Sequence, residues 1–368
     1  MTRYLDNGWN SCYTDSVVRQ RCQPAVGGVA VAVTIGDVAR FAGVSTKTVS
    51  RVINDEPFVA ESTRGKVVAA MQELGYAPNI SAQRLARGRS HVLGLVFHNA
   101  AWNYINIVQR ALLEECRLEG YGMLMNPCDI ERPADQEEIL RLVAQQTVDG
   151  FIFTPPCDNI TSLLEKLQGQ RIPFIRLAPR DCQGPLPYVA PDDWQGGYDM
   201  TQYLLSLGHE RIGFVMGNPD HQASHDRLAG FRAALEAHHV PFHPSLVTPG
   251  DFQFDSGLSG GRVLLETDPR PTAIFACNDD MAAGVLAAAH ELGIAVPEGL
   301  SVAGFDDVPL AQQVWPSLTT VRQPTYEMAQ LAAQLLLRSL KGVSLDTVHH
   351  VLPATLVIRG STGPRTYA

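Results

Sequence analysis

Thr46, Lys47, Ser50 and Arg51 are spaced so that one helix through them carries two hydroxyls, an ammonium and a guanidinium on a single face. Such groups suit base edges and phosphate oxygens, and they include no pair that would activate a nucleophile. The neighbouring residues show which elements must hold them. Ser45 has the side chain of an N-cap, and Val49, Val52 and Ile53 supply the inward stripe of the same helix. Gly43 stops a preceding helix that Thr34 caps and that buries Ile35, Val38, Ala39 and Ala42. Gly36 is a weak helix former, placed in the first turn where it is best tolerated. Small residues at Ala39, Ala42 and Gly43 let the two helices cross closely. This is the pattern of a helix-turn-helix, whose second helix enters the major groove.

A third helix is expected from Ser62 to Leu74, with Val67, Ala70, Met71 and Leu74 inward and Gly75 as its stop. After Pro78 the segment NISAQRLARGRS carries Arg84, Arg87 and Arg89 around one prominent apolar residue, Leu85. A helix this short is unstable alone in water but could form on DNA, where paired copies insert Leu85 into the minor groove while the arginines meet phosphates. Headpiece and hinge together resemble the LacI/GalR family of bacterial transcriptional regulators, and the likeness runs on to the end of the chain, leaving out the first 33 residues. The resemblance implies that Thr46, Lys47 and Arg51 are the recognition side chains, with Thr34, Ser45, Thr48, Ser50 and Asn54 completing the DNA-facing set. It also implies hinge contacts at Asn79, Ala82 and Gln83 and a wedge at Leu85. Gln83 stands where many members have Arg, which puts minor-groove readout there in question.

The overall charge of −9 hides an asymmetry. Residues 34–90 carry eight Lys and Arg against five Asp and Glu, whereas 91–368 carry eighteen against thirty-one. A basic head on an acidic body fits a protein that meets DNA at one end. The seven cysteines form no C-x-x-C pair and read as reduced cytosolic thiols, with Cys277 expected to be buried at a strand end. Residues 1–33 are expected to be a disordered extension or an unused upstream start. Arg19 and Arg21 ahead of the apolar stretch Val29–Val33 faintly resemble a signal peptide, a reading that a DNA-binding headpiece directly after the cleavage site opposes. No apolar run approaches bilayer length. The chain stops soon after LVIRGST without a leucine heptad, so a dimer is expected.

From His91 the sequence alternates strands with helices: HVLGLVF, a helix over Asn106–Glu119, GYGMLM, DGFIFTP, IPFIRL, RIGFVMG, TAIFAC and LSVAGFD. This predicts two parallel α/β lobes with a ligand cleft at the carboxyl ends of the strands. The resemblance adds the type I periplasmic-binding-protein-like core, with the chain crossing between lobes near Ala190, Arg322 and Leu352. The expected fold is thus an N-terminal all-α helix-turn-helix headpiece (34–78), a hinge (79–90) and a two-lobed α/β core (91–368) for effector binding and dimerisation.

Asp279 opens the helix after TAIFAC, as either its N-cap or a ligand group; the family match of CNDDMAAG implies effector hydroxyls. Arg227 is a surface helix residue or, by resemblance, a cleft residue gripping effector oxygens. Phe252 is core or an aromatic wall for a sugar ring. His98, Asn99, Asn103 and Tyr104 follow the first strand, Trp102 covers the cleft or lies on a dimer surface, and Gln323, Asp129 and Trp315 are further candidates. GLSGG at 257–261 matches G-x-S-x-G but lies in a helical segment, without the strand that a Ser259 nucleophile needs. His221 and His225 have metal-ligand spacing in a loop-like setting. No catalytic residue, metal or cofactor is therefore assigned. The expected function is a cytoplasmic, nucleoid-associated, homodimeric regulator that represses carbohydrate genes from a pseudopalindromic operator in double-stranded DNA and is released by a sugar. The alternatives are a purine or nucleoside corepressor or inducer, and a sugar-binding receptor with a vestigial headpiece.

Overall fold

The computed structural model describes residues 33–54, 56–76, 89–98, 102–182, 184–345 and 348–365. The chain divides into two compact units, Met1–Gln83 and Arg84–Ala368. In the first, helices α1 (Ile35–Ala42), α2 (Thr46–Ile53) and α3 (Glu61–Glu73) enclose a small core of Val38, Ala39, Val49, Val52, Val67 and Ala70. Thr34 and Asp37 form a reciprocal capping box, the Thr34 hydroxyl donating to the Asp37 carboxylate at 2.7 Å. Gly43 ends α1 at φ 66°, a left-handed conformation that only glycine adopts without strain. Ser45 caps α2, its Oγ accepting from Thr48 N at 3.1 Å. Helix α3 starts and stops one residue earlier than its apolar spacing predicts, with Gly75 following at φ 61°.

The second unit holds two parallel sheets. Strands β1 (Val92–Phe97), β2 (Gly122–Pro127), β3 (Gly150–Phe153), β4 (Phe174–Leu177), β5 (Tyr188–Pro191) and β11 (His349–Leu352) form the first, in the order β11-β5-β4-β3-β1-β2. Helices α4 (Trp102–Leu118), α5 (Pro133–Ala144), α6 (Thr161–Gly169) and α12 (Thr325–Leu340) belong to this lobe. The other sheet is ordered β7-β6-β8-β9, from β6 (Ile212–Val215), β7 (Val247–Thr248), β8 (Ala273–Ala276) and β9 (Ser301–Ala303). Around it lie α7 (Asp193–Ser206), α8 (Gln222–Ala237), α9 (Phe254–Leu265), α10 (Asp279–Glu291) and the short α11 (Leu310–Gln313). β10 (Thr320–Arg322) and β12 (Thr355–Val357) pair antiparallel beside two of the crossings. Their connections are fastened by Asp307, which binds Arg322 at 2.7 Å and Arg359 at 2.5 Å. The chain changes lobe after β5, β10 and β11, at the three expected places.

Helix α4 begins four residues before the expected Asn106, because Ile105 and Val108 already form a buried stripe with Leu112. Asn103 and Tyr104 therefore project from a helical first turn rather than from a loop. Cys277 is fully buried just beyond β8, as expected.

Candidate functional site

On the headpiece, Thr46, Lys47 and Arg51 are exposed along α2, while Val49 and Val52 anchor its inner side. The other members of the expected DNA-facing set are committed within the headpiece. Ser45 and Thr48 hydroxyls lie 2.9 Å apart at the cap, and Ser50 Oγ accepts from Asn54 Nδ2 at 3.3 Å. Arg51 makes an exposed 3.6 Å ion pair with Glu56, a contact weak enough to exchange for a nucleic-acid partner. Asn79, Ala82, Gln83 and Leu85 lie outside the described residues.

In the body a cavity of about 500 Å³ lies at the carboxyl ends of the strands, with walls from both lobes. One lobe supplies His98, Trp102, Tyr104, Pro155 and Ala178; the other supplies Asn218, His221, Arg227, Phe252 and Asn278, with Asp193, Asp306 and Gln323 near the crossings. Arg227 stands at the centre of its polar network. Its Nε donates to Asp193 at 2.8 Å, Nη1 donates to the Cys277 carbonyl and lies 3.6 Å from Asp306, and the guanidinium sits 3.7 Å from the centroid of the Phe305 ring. Burial opposes its charge, but Asp193 and Asp306 outweigh that and raise its pKa. Burial likewise raises the carboxyl of Asp193, against the pull of Arg227, and pushes Asp306 up to about 7. Gln323 donates to Asp306 and so fixes the acceptor from the crossing side. His221, packed against Phe252, is lowered to about 4 by burial and by Arg227.

The backbone around the cavity is strained. Ala178, Phe252 and Asp306 all line it with positive φ, at 45°, 68° and 111°. Such conformations persist where the surroundings over-determine them, and they collect at ligand sites. The Tyr104 hydroxyl is buried at the wall with no hydrogen-bond partner among the described residues, a polar group left for a ligand to satisfy.

The model for bacterial regulatory proteins of the lacI family matches residues 34–79, and that for a periplasmic binding protein-like domain matches 201–362. The HTH-type transcriptional regulator DegA of Bacillus subtilis (strain 168) is 36% identical over 90% of this chain and 98% of its own length. This chain belongs to the LacI family. Among solved LacI-family structures, the lac repressor dimer bound to operator and the anti-inducer ONPF is 30% identical, with a TM-score of 0.78 over 90% of this chain and 99% of that one. The transcriptional regulator CelR in complex with cellobiose is 31% identical, with a TM-score of 0.69 over 89% and 99%. The relatives are transcriptional regulators and not enzymes.

Of the effector residues expected in this LacI-family member, His98, Arg227, Phe252 and Gln323 line the cavity. Asn99 lies outside the described residues. Asp279 and Asn103 are corrected. The cap of α10 is Asn278, whose Oδ1 accepts from Met281 N at 2.9 Å and which itself lines the cavity. Asp279, one residue on, turns away and is fully buried. Its Oδ2 accepts from Val308 N at 3.0 Å and its Oδ1 from the Thr320 hydroxyl at 2.6 Å, so it ties α10 to the loop bearing Asp306 and to β10. Asn103 reaches across instead of inward, its Nδ2 donating to Asp280 of the other lobe at 3.3 Å.

Trp315, Asp129, Ser259 and His225 fall away from the wall. Trp315 is 92% exposed, and Asp129 caps its own turn by accepting from Glu131 N. Ser259 sits inside α9 with its hydroxyl on the Asp255 carbonyl, 2.8 Å away. His225 turns to the Pro219 carbonyl while His221 faces the cavity. Asp193 and Asp306 were not anticipated, yet each closely follows a strand, β5 and β9, where the rule for α/β sheets places ligand groups.

Proposed function

We propose that this regulator is a homodimeric, sugar-released repressor acting in the cytoplasm, at the nucleoid, on a pseudopalindromic operator. The observation that carries the sugar reading is the union of Asn278, Arg227, Asp193, Asp306 and Gln323 with the Phe252 ring in one interlobe cavity. Carboxylate, amide and guanidinium groups hold hydroxyls in fixed directions, and an aromatic face takes the apolar side of a sugar ring. The cellobiose complex of CelR, similar along nearly its whole length, supports the same reading.

Thr46, Lys47 and Arg51 read the half-site in this proposal, and two copies of Leu85 wedge its centre open. Sugar bound between the lobes favours one lobe arrangement, and DNA affinity falls by the sugar's differential affinity for the two arrangements. The Asn103–Asp280 hydrogen bond spans the lobes and is made or broken in that change.

The test is fluorescence anisotropy on a pseudopalindrome from the gene's own upstream DNA, at fixed salt, titrated with a panel of sugars. Release by one sugar is expected. Tightening by a ligand would reverse the sign to corepression, and absence of sequence-preferring binding would refute the proposal.

A further inference from the structure

The charge balance of the cavity narrows the effector's class, an inference that rests on the sugar-responsive reading above. Among the described residues lining the cavity, Arg227 is the one side chain of permanent positive charge, against Asp193, Asp251 and Asp306. Much of it is already engaged within the protein, through Nε and Nη1. Asp193 takes Nε, the Cys277 carbonyl takes Nη1, Asp306 lies beside Nη1, and the Phe305 ring packs against the guanidinium. His221 does not redress the balance, and one nitrogen of His98 is turned from the ligand. His221 stays neutral near pH 7, and His98 directs Nδ1 at the Cys128 carbonyl 3.0 Å away, so that nitrogen faces an acceptor and not the ligand.

What the cavity offers in surplus is acceptors: the carboxyl oxygens of Asp193, Asp251 and Asp306, of which Asp251 is exposed at the rim and Asp306, raised to about 7, shares a proton near neutral pH. Hydroxyl groups donate to such acceptors, and an ammonium does so with added Coulomb attraction. A phosphate or carboxylate brings only acceptors and a like charge. To bind, it would have to share Arg227 with the two buried acids, Asp193 and Asp306, that already partner the guanidinium.

We propose that the effector carries no net negative charge: a neutral polyol is the expected ligand, an amino sugar is tolerated, and sugar phosphates and sugar acids are rejected. Like charges brought together at a site cost several kcal/mol, so the anionic member of a matched pair binds at least about 100-fold more weakly.

Calorimetric titration of the full chain with matched probes tests this: ribose against ribose 5-phosphate, glucose and glucosamine against glucose 6-phosphate and glucuronate, cellobiose, and adenosine against AMP. Binding confined to uncharged or amino members supports the proposal. An anionic member binding as tightly as its neutral partner overturns it, and if that member is a sugar the sugar-responsive reading survives. Binding of adenosine but of no sugar does the reverse, removing the sugar reading and sustaining the charge rule. A panel in which nothing binds at millimolar concentration overturns both.

Asp193→Asn and Asp306→Asn each release Arg227 from one carboxylate and should narrow the neutral-to-anionic ratio at least about tenfold. Asp251→Asn, at the exposed rim, should do so by a smaller factor and serves if the buried variants fail to fold. An unchanged ratio in every folded variant would overturn the electrostatic basis of the selectivity.

Discussion

The recognition helix and the interlobe cavity both bear polar groups suited to a ligand, but they hold them in opposite ways. Along α2, Thr46, Lys47 and Arg51 stand in solvent, their positions set by two caps and two buried valines on one eight-residue helix. Around the cavity, Asp193, Arg227 and Asp306 come from segments far apart in the chain and are buried in contact with one another. An exposed group loses little when a neighbour is removed. A buried network distributes its charge, so removing one member strands the rest.

The largest effect should come from breaking that network. Arg227→Met strands two buried acids and should cost about 3–5 kcal/mol in stability while abolishing the sugar response, read by thermal denaturation and by operator release. The matching change on the headpiece, Arg51→Ala, should leave stability nearly unchanged and cost about 1–3 kcal/mol in discrimination between operator and mismatched duplexes. Equal losses on all duplexes would reassign Arg51 to a phosphate contact. Asp279→Ala leaves Val308 N and the Thr320 hydroxyl unpaired in the interior, and should cost about 2–3 kcal/mol while the folded fraction still responds to sugar. Asn278→Ala, next door, should weaken sugar binding directly. Ser45→Ala, the loss of an exposed cap, should destabilise the headpiece by about 1 kcal/mol, measurable as lower helicity on heating.

Titration sharpens the contrast with the smallest effect. Asp306, raised from 3.8 to about 7, contributes its stability fully below 3.8 and loses it as pH rises towards 7. His221, lowered from 6.5 to about 4, contributes above 6.5 and loses stability as pH falls from there towards 4. Between these limits the two oppose each other. Asp306→Asn should therefore unmask His221, and its melting temperature should fall more steeply than that of the parent between pH 6.5 and 4.5. Parallel profiles would show that the cavity groups titrate independently of burial.

The two regions also differ in how far they could be read from the chain. Thr34, Gly43 and Ser45 set the headpiece by contacts three or four residues away, so its helices and its outward face follow from spacing. The alternation of strands and helices predicts the two lobes with a cleft at the strand ends, whereas the three crossings and the cleft roles of Arg227 and Phe252 follow from the family resemblance and not from spacing. Asp279 shows the limit of both. Each residue of a helix turns about 100° from the one before, so Asn278 faces the cavity while Asp279 faces the interior, and no spacing says which. Asn103 departs from its expected place because α4 begins four residues before its apolar spacing predicts, which turns the amide across to Asp280.

What the sequence determined by itself is what local physics decides: caps, turns, the polar face of α2, the lobed alternation and the acidic body behind a basic head. The tertiary structure decided which acids Arg227 meets, that Asp279 is a fastening and Asn278 a wall, and that the cavity ends with more carboxylates than cations. Those outcomes depend on distances between residues as far apart as Asp193 and Asp306, and such distances are fixed only when the two sheets, their helices and the three crossings pack together.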